Sequence, residues 1–272
     1  MLAYTDIELP VRSEKPRETG ITMMIDWGIP AGHQVDILET CSTYVDLAKI
    51  AVGISGLLPR DVLDRKLRAY VEADVTPFPG GMYLEYAICQ GKSDYYLATT
   101  KALGYPVVEI SDNVIRLDAE EKKSLIWSAR AEHGLVVLGE TGSKRSSTDR
   151  SILIEDGRNC LEAGAWKVFV EAAEFFEADD GSFNRPLAQA LARELPLESL
   201  IFELPGKWIP GIHAHMIHAM MAWLIEELGP EVNIGNVAPE DVVALETLRR
   251  GIGVGMKLDG AALPATADGS NG

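Results

Sequence analysis

A single-domain α/β barrel of eight strand-plus-helix units, the (β/α)8 or TIM-barrel class, is the fold this sequence predicts. Three observations carry that prediction. Four short apolar runs each end in a glutamate, at Glu109, Glu140, Glu171 and Glu203. They recur about 31 residues apart, the length of one strand-plus-helix repeat. The same beat extends upstream to Asp26, Lys49 and Phe78 and downstream to Ile234, which makes eight strand ends. The runs are also continuously apolar, as parallel strands covered by helices are. An open doubly wound sheet is the alternative, but the even spacing and the lack of a Gly-x-Gly-x-x-Gly after the first strand favour the barrel.

Residues 1–20 are polar, contain Pro10 and Pro16, and read as an N-terminal arm; residues 21–251 form the barrel. Strand 1 is Ile21 to Asp26, followed by a loop at Trp27-Gly-Ile-Pro30 and a helix from Gly32 to Thr43. Strand 2 is Val45 to Ile50, and its helix starts near Pro59 and Asp61 and reaches Glu72. Strand 3 is short and ends at Phe78. Pro79-Gly80-Gly81 then allows a tight turn and a close backbone approach to a ligand. The third helix reads in two parts, Met82 to Cys89 and Ser93 to Leu103, split by Gln90-Gly-Lys92. Strand 4 is Pro106 to Ile110, and Asp118 is placed to cap the helix that follows. After Glu140 comes a polar, basic loop, Thr141 to Thr148, and then a helix to Ala163. The stretch after Glu171 is acidic and irregular. A helix over Pro186 to Leu195 leads to the strand ending at Glu203, and a helix over Ile212 to Leu228 follows. Strand 8 is Val232 to Ile234, with a last helix from Pro239 to Arg250. Residues 252–272, rich in Gly, Ala and Asp, read as a flexible tail.

The chain has 272 residues, close to the roughly 250 of one barrel domain. Its net charge of −16 argues against nucleic acid or an anionic membrane as partner. A small anionic substrate stays compatible with that charge, because a few basic groups at one mouth dominate the local field. Cys41, Cys89 and Cys160 are far apart and odd in number, which predicts reduced thiols in a cytoplasmic protein. Neither a signal peptide nor an apolar run of membrane-spanning length is visible. The helix bearing His213, His215, His218, Met216, Met220, Met221 and Trp223 reads as core or as a contact with a second copy, so a homo-oligomer is expected.

Carboxylates at successive strand ends exceed what capping requires. In a barrel, Glu109, Glu140, Glu171 and Glu203, with Asp112 nearby, converge on the carboxyl rim, where barrel enzymes place their chemistry. Their hard oxygens suit Mg2+; the alternative is a solvated rim or internal ion pairs with Lys49. Lys49 points into the mouth, either toward a substrate carboxylate or as a structural partner for Asp26 or Glu85. Asn233, Gly235 and Asn236 fall at the end of strand 8, where barrels commonly hold phosphate. Arg249 and Arg250 read equally well as helix C-terminal charges or as phosphate contacts.

Pro79-Gly-Gly81 with Glu85-Tyr-Ala, Glu109-Ile-Ser-Asp112, Leu161-Glu-Ala-Gly-Ala165 and the long run from Asn233 to Gly251 resemble phosphosulfolactate synthase. The likeness spans roughly Pro16 to Gly251. It implies a TIM barrel that adds sulfite to phosphoenolpyruvate with Mg2+, giving (2R)-phospho-3-sulfolactate. For that reaction Lys49, by its place at the end of strand 2, and Lys144 and Glu109, which match the family pattern, are the expected catalytic residues. Gly80, Gly81, Asp112, Asn233, Gly235 and Asn236 are expected to bind substrate, and Glu140, Glu171 and Glu203 to hold Mg2+. The chain also departs from the family pattern. Trp27 stands for a lysine, Met82 for a threonine and Ser143 for the first of two lysines, and Glu171-Ala-Ala-Glu174 lacks an arginine. These changes remove cations and a hydroxyl that suit a substrate carrying phosphate and carboxylate. Two alternatives follow: a non-catalytic barrel similar to the plant heat-stress-associated proteins, or an enzyme of the same fold with a less anionic substrate.

Overall fold

The computed structural model describes residues 3–143, 148–175, 183–206, 208, 209 and 211–256. Eight parallel strands form the barrel: β1 Thr22–Asp26, β2 Leu47–Ile50, β3 Thr76–Pro79, β4 Val107–Ile110, β5 Val136–Thr141, β6 Lys167–Val170, β7 Leu200–Glu203 and β8 Ile234–Val237. The helices around them are α1 Ala31–Cys41, α2 Arg60–Glu72, α3 Met82–Cys89, α4 Ser93–Ala102, α5 Ala119–Ala131, α6 Arg150–Glu162, α7 Arg185–Glu194, α8 Ala214–Leu228 and α9 Val242–Arg249. The split third helix is present as α3 and α4. The predicted cap of α5 is a capping box, with Asp118 accepting from the Glu121 backbone and Glu121 from that of Asp118.

Ladder pairing runs β3-β2-β1-β8-β7-β6-β5-β4, so β3 and β4 meet at a seam. The sequence supplies the reason for it. Thr76 N donates to Asp46 O and Gly80 N to Ile50 O, so the even-numbered amides of β3 face β2. The odd positions face β4, and both are proline, Pro77 and Pro79, which carry no N–H to donate.

Strand alternation divides the apolar residues into two layers. Ile21, Met23, Leu47, Phe78, Val107, Leu138, Phe169 and Ile201 fill the barrel interior. Met24, Ala48, Val108, Val168 and Phe202 face outward and pack under the helices. Met220, Met221 and Trp223 of α8 belong to that outer layer and are buried, so they are core and not an exposed face. The strand 8 prediction is off by two residues: β8 begins at Ile234 instead of ending there. Thr22 pairs with Ile234 and Met24 with Val237, which puts Gly235 and Asn236 together opposite Met23 in a β-bulge. Asn236 takes φ +56° there, a left-handed conformation that Asn tolerates better than most residues.

The arm crosses the amino-terminal base of the barrel. Arg12 pairs with Glu231 and Glu246 and donates to Gly20 O, and Arg17 pairs with Asp46. None of the described helices is long and apolar enough to cross a membrane.

Candidate active site

The inward positions of β2, β4, β5 and β7 repeat one pattern, apolar and then charged. Leu47, Val107, Leu138 and Ile201 lie in the barrel interior; two residues further on stand Lys49, Glu109, Glu140 and Glu203. Period-two geometry puts both members of each pair on the same face and lifts the charged one toward the carboxyl rim. Lys49 Nζ donates to Glu109 Oε1 at 2.8 Å and to Glu203 Oε1 at 3.0 Å. It also lies 4.9 Å from the centre of the Phe169 ring, which forms the apolar floor. All four charged residues are buried.

Each of Glu109, Glu140 and Glu203 offers a carboxylate oxygen, and these atoms lie within 4.8 Å of one another. Burial works against a charged Lys49, but Glu109, Glu203 and Glu140 outweigh it and hold the ammonium well above its usual range. Burial pushes the Glu109 carboxyl up to about 7; Lys49 opposes that shift, and Glu140 and Glu203 add to it. A cluster of hard oxygens with excess negative charge around one lysine fits a divalent cation. Glu203 Oε2, fully buried and without a hydrogen-bond partner, is available as a donor atom.

The glycines after β3 serve this cluster. Gly81 N donates to Glu109 Oε2 at 2.8 Å, and a Cβ there would press on Glu109 Cγ at 3.2 Å. A Cβ on Gly80 would sit 2.7 Å from Val52 N, so the β2 and β3 loops touch backbone to backbone. The close approach predicted for Pro79-Gly80-Gly81 is therefore made to neighbouring chain segments.

The remaining expected residues divide. Glu171 is buried just after β6, with Ala173 N 3.4 Å from its Oε1, and is not one of the three clustered carboxylates. Asp112 is engaged by Lys122 Nζ at 2.9 Å, and that lysine also binds Asp156 and Glu140 O. The reading of Asn233 as a substrate contact is corrected. It lies at the base, accepting from Ile21 N and donating to Glu198 O and Leu200 O. Gly235 lies in register with Glu203, its α-carbon facing the interior, where a Cβ would meet Met23 and Ile201 at 3.1 and 3.2 Å. The Asn233 correction follows from the two-residue shift of β8. Asn236 is buried in the bulge with Oδ1 unpartnered. Lys144 lies outside the described residues. Arg249 donates to Pro230 O and Val232 O at the base, not to the mouth. Asp26 and Glu85, considered as partners for Lys49, are used elsewhere: Asp26 by Lys66 and Tyr70, Glu85 by the β4–α5 loop. At the mouth, the Trp27 and Trp208 rings are 5.4 Å apart, a contact between loops after β1 and β7 that no sequence spacing indicated.

The family described as (2R)-phospho-3-sulfolactate synthase (ComA) matches residues 10–254. The chain belongs to that family. A phosphosulfolactate synthase from Methanothermobacter thermautotrophicus is 35% identical over 91% of this chain and 95% of its own length. One from Methanocaldococcus jannaschii is 32% identical, over 86% and 92%. Protein HEAT-STRESS-ASSOCIATED 32 of Arabidopsis thaliana is similar at 24% identity, over 88% of each chain. Among solved structures, the YdjI aldolase of Escherichia coli K12 superposes with a TM-score of 0.54 at 14% identity, over 86% of each chain, a likeness of fold alone. Relatives named as synthases thus share nearly the whole length of this phosphosulfolactate synthase family member, and the clustered carboxylates stand where a barrel enzyme does its chemistry.

Proposed function

We propose that this chain is a cytoplasmic phosphosulfolactate synthase that adds sulfite to phosphoenolpyruvate with Mg2+. One observation carries the reading: a buried lysine held between two glutamates of a three-carboxylate cluster at the barrel mouth. Glu109, Glu140 and Glu203 would hold Mg2+, which when bound supplies positive charge against the phosphate and carboxylate of the substrate. The sulfur lone pair of sulfite forms the bond to C3, and the π electrons move to C2 and its carboxylate. Lys49, kept charged by its neighbours, faces that developing charge and delivers a proton to C2. Glu109, at hydrogen-bond distance from Lys49, keeps the amine aimed at C2, and solvent returns the proton the amine has given up. Nothing leaves, so the phosphate ester survives as (2R)-phospho-3-sulfolactate. The small anionic substrate thus meets its positive charge locally, in a chain whose net charge is −16.

Purified protein mixed with phosphoenolpyruvate, sulfite and Mg2+ is expected to give a new phosphate-ester signal in 31P NMR that needs all three additions. Phosphoenolpyruvate left unchanged by folded protein over hours would refute the reaction. A second reading, an enzyme of this fold with a less anionic substrate, is favoured by the Trp27–Trp208 contact at a position where the family pattern carries a lysine. It predicts no stabilisation by phosphoenolpyruvate in a Mg2+-dependent thermal melt.

A further inference from the structure

Two adjacent residues of the β4–α5 loop have different fates. Asp112, which the family likeness singles out, is taken by Lys122. Asn113 reaches into the rim and donates from Nδ2 to Glu140 Oε2 at 2.6 Å. A carboxylate offers only lone pairs, so the amide nitrogen must face it, which fixes the orientation of the group. Asn113 Oδ1 then points to another partner, and none is present: the atom is buried and accepts no hydrogen bond, in a side chain only 6% exposed.

This is not a loosely placed loop. Glu85, itself buried, accepts from Ser111 Oγ and from three consecutive backbone amides, Asn113 N at 3.2 Å, Val114 N at 2.7 Å and Ile115 N at 3.0 Å. The backbone carrying Asn113 is thus fixed by a carboxylate spent wholly on that purpose. Native proteins rarely leave a buried amide oxygen unmatched. A second unmatched oxygen, Glu203 Oε2, belongs to the carboxylate cluster that Asn113 touches. Both oxygens lack what a hydrated cation or a hydroxyl-bearing ligand would bring.

We propose that Asn113 is a positioning residue of this site. Its Nδ2 fixes the Glu140 carboxylate, and its Oδ1 accepts a hydrogen bond from water held by the bound cation. The proposal rests on the reading of Glu109, Glu140 and Glu203 as a divalent-cation site. Partners of metal-ligating carboxylates typically change metal affinity or activity by about 10–100-fold when removed.

The test uses the full chain and Asn113→Leu, which is near in shape and neither donates nor accepts. Mg2+ is titrated into each metal-free protein by calorimetry, and melting of the free proteins is recorded beside kcat and KM for phosphoenolpyruvate. The expected result is a Mg2+ Kd raised by about 10–100-fold with a matching loss in kcat, and a free-protein melting temperature that is unchanged or higher. An asparagine serving only the fold would give the reverse, a lower melting temperature with Mg2+ affinity intact, and that result overturns the proposal while leaving the cation site standing. If the wild-type protein binds no Mg2+, the site reading fails and the proposal with it. Should Asn113→Leu not fold, Asn113→Ala is read in the same three ways.

Discussion

The two ends of this barrel treat buried polar groups differently. At the base, side chains are spent on the chain itself. Asn233 satisfies one amide and two carbonyls, Lys167 donates to Glu18 O and Glu198 O, and Arg249 serves the carbonyls that end the loop before β8. Only Arg249 Nε is left without a partner among these groups. At the carboxyl rim the lysine and three glutamates meet one another, while Glu203 Oε2, Asn113 Oδ1 and Asn236 Oδ1 stay unmatched. A closed network stabilises; an open one costs stability and is retained where something else binds. The contrast separates two kinds of buried charge that sequence alone cannot tell apart.

The sharpest way to break the comparison is to remove the lysine. Lys49→Met should lower turnover by about 10²–10⁴-fold, followed by 31P NMR, because both the proton donor and the charge facing C2 are lost. Turnover at the wild-type rate in that variant would strip the rim of its assigned roles. At the base the effect should be on folding. Arg249→Leu leaves two carbonyls short of a donor, at about 1–3 kcal/mol each, so chemical denaturation should show a loss of about 3 kcal/mol with Mg2+ affinity unchanged.

The rim should also show itself through pH. Burial raises the folded-state Glu109 pKa to about 7 from the ordinary 4.5. Between those values the folded state holds a proton that the unfolded chain has released, so the Glu109 contribution to stability is present at low pH and is lost as pH rises from about 4.5 to 7. The difference in unfolding free energy between metal-free wild type and Glu109→Gln should carry that slope, and Mg2+ should flatten it. A difference that stays constant across the window would contradict the buried carboxyl. The smallest effect is expected at Gly235→Ala. A Cβ there overpacks Met23 and Ile201, costing about 1–3 kcal/mol, with KM for phosphoenolpyruvate unaltered. A large rise in KM would instead place Gly235 in the substrate site.

Much of the fold was legible because repetition is. β1 and β7 end at Asp26 and Glu203 as the beat predicts, and β2, β4 and β5 run one residue past Lys49, Glu109 and Glu140, since each βα unit is a separate local pattern of apolar run, turn and amphipathic helix. Strand 8 was misplaced because Val232-Asn-Ile234 looks like the strand while its bulged continuation, Gly235-Asn236, looks like a loop. Because the strand starts two residues later, Asn233 lies at the base of the barrel and not at its mouth. Asn113 carries no sequence signal of its own, since a neutral amide in a polar loop reads like any loop residue and its reach to Glu140 is set by tertiary contacts.

By itself the sequence determined the class of fold, the inward direction of Lys49 and the strand-end glutamates, and the family. Those follow from periodicity and from long matched motifs, which are properties of the chain order. Only the tertiary structure decided which carboxylates cluster, which cations are already engaged and which polar atoms are left open. Lys49 and Glu203 stand on strands β2 and β7, separated by β1 and β8 in the ladder, and meet only because the barrel closes and points both side chains inward. Whether Asp112 or Asn113 reaches Glu140 depends on how Glu85 and Lys122, from two different helices, hold the loop between them. Such choices are made by neighbours distant in sequence, and no local pattern encodes them.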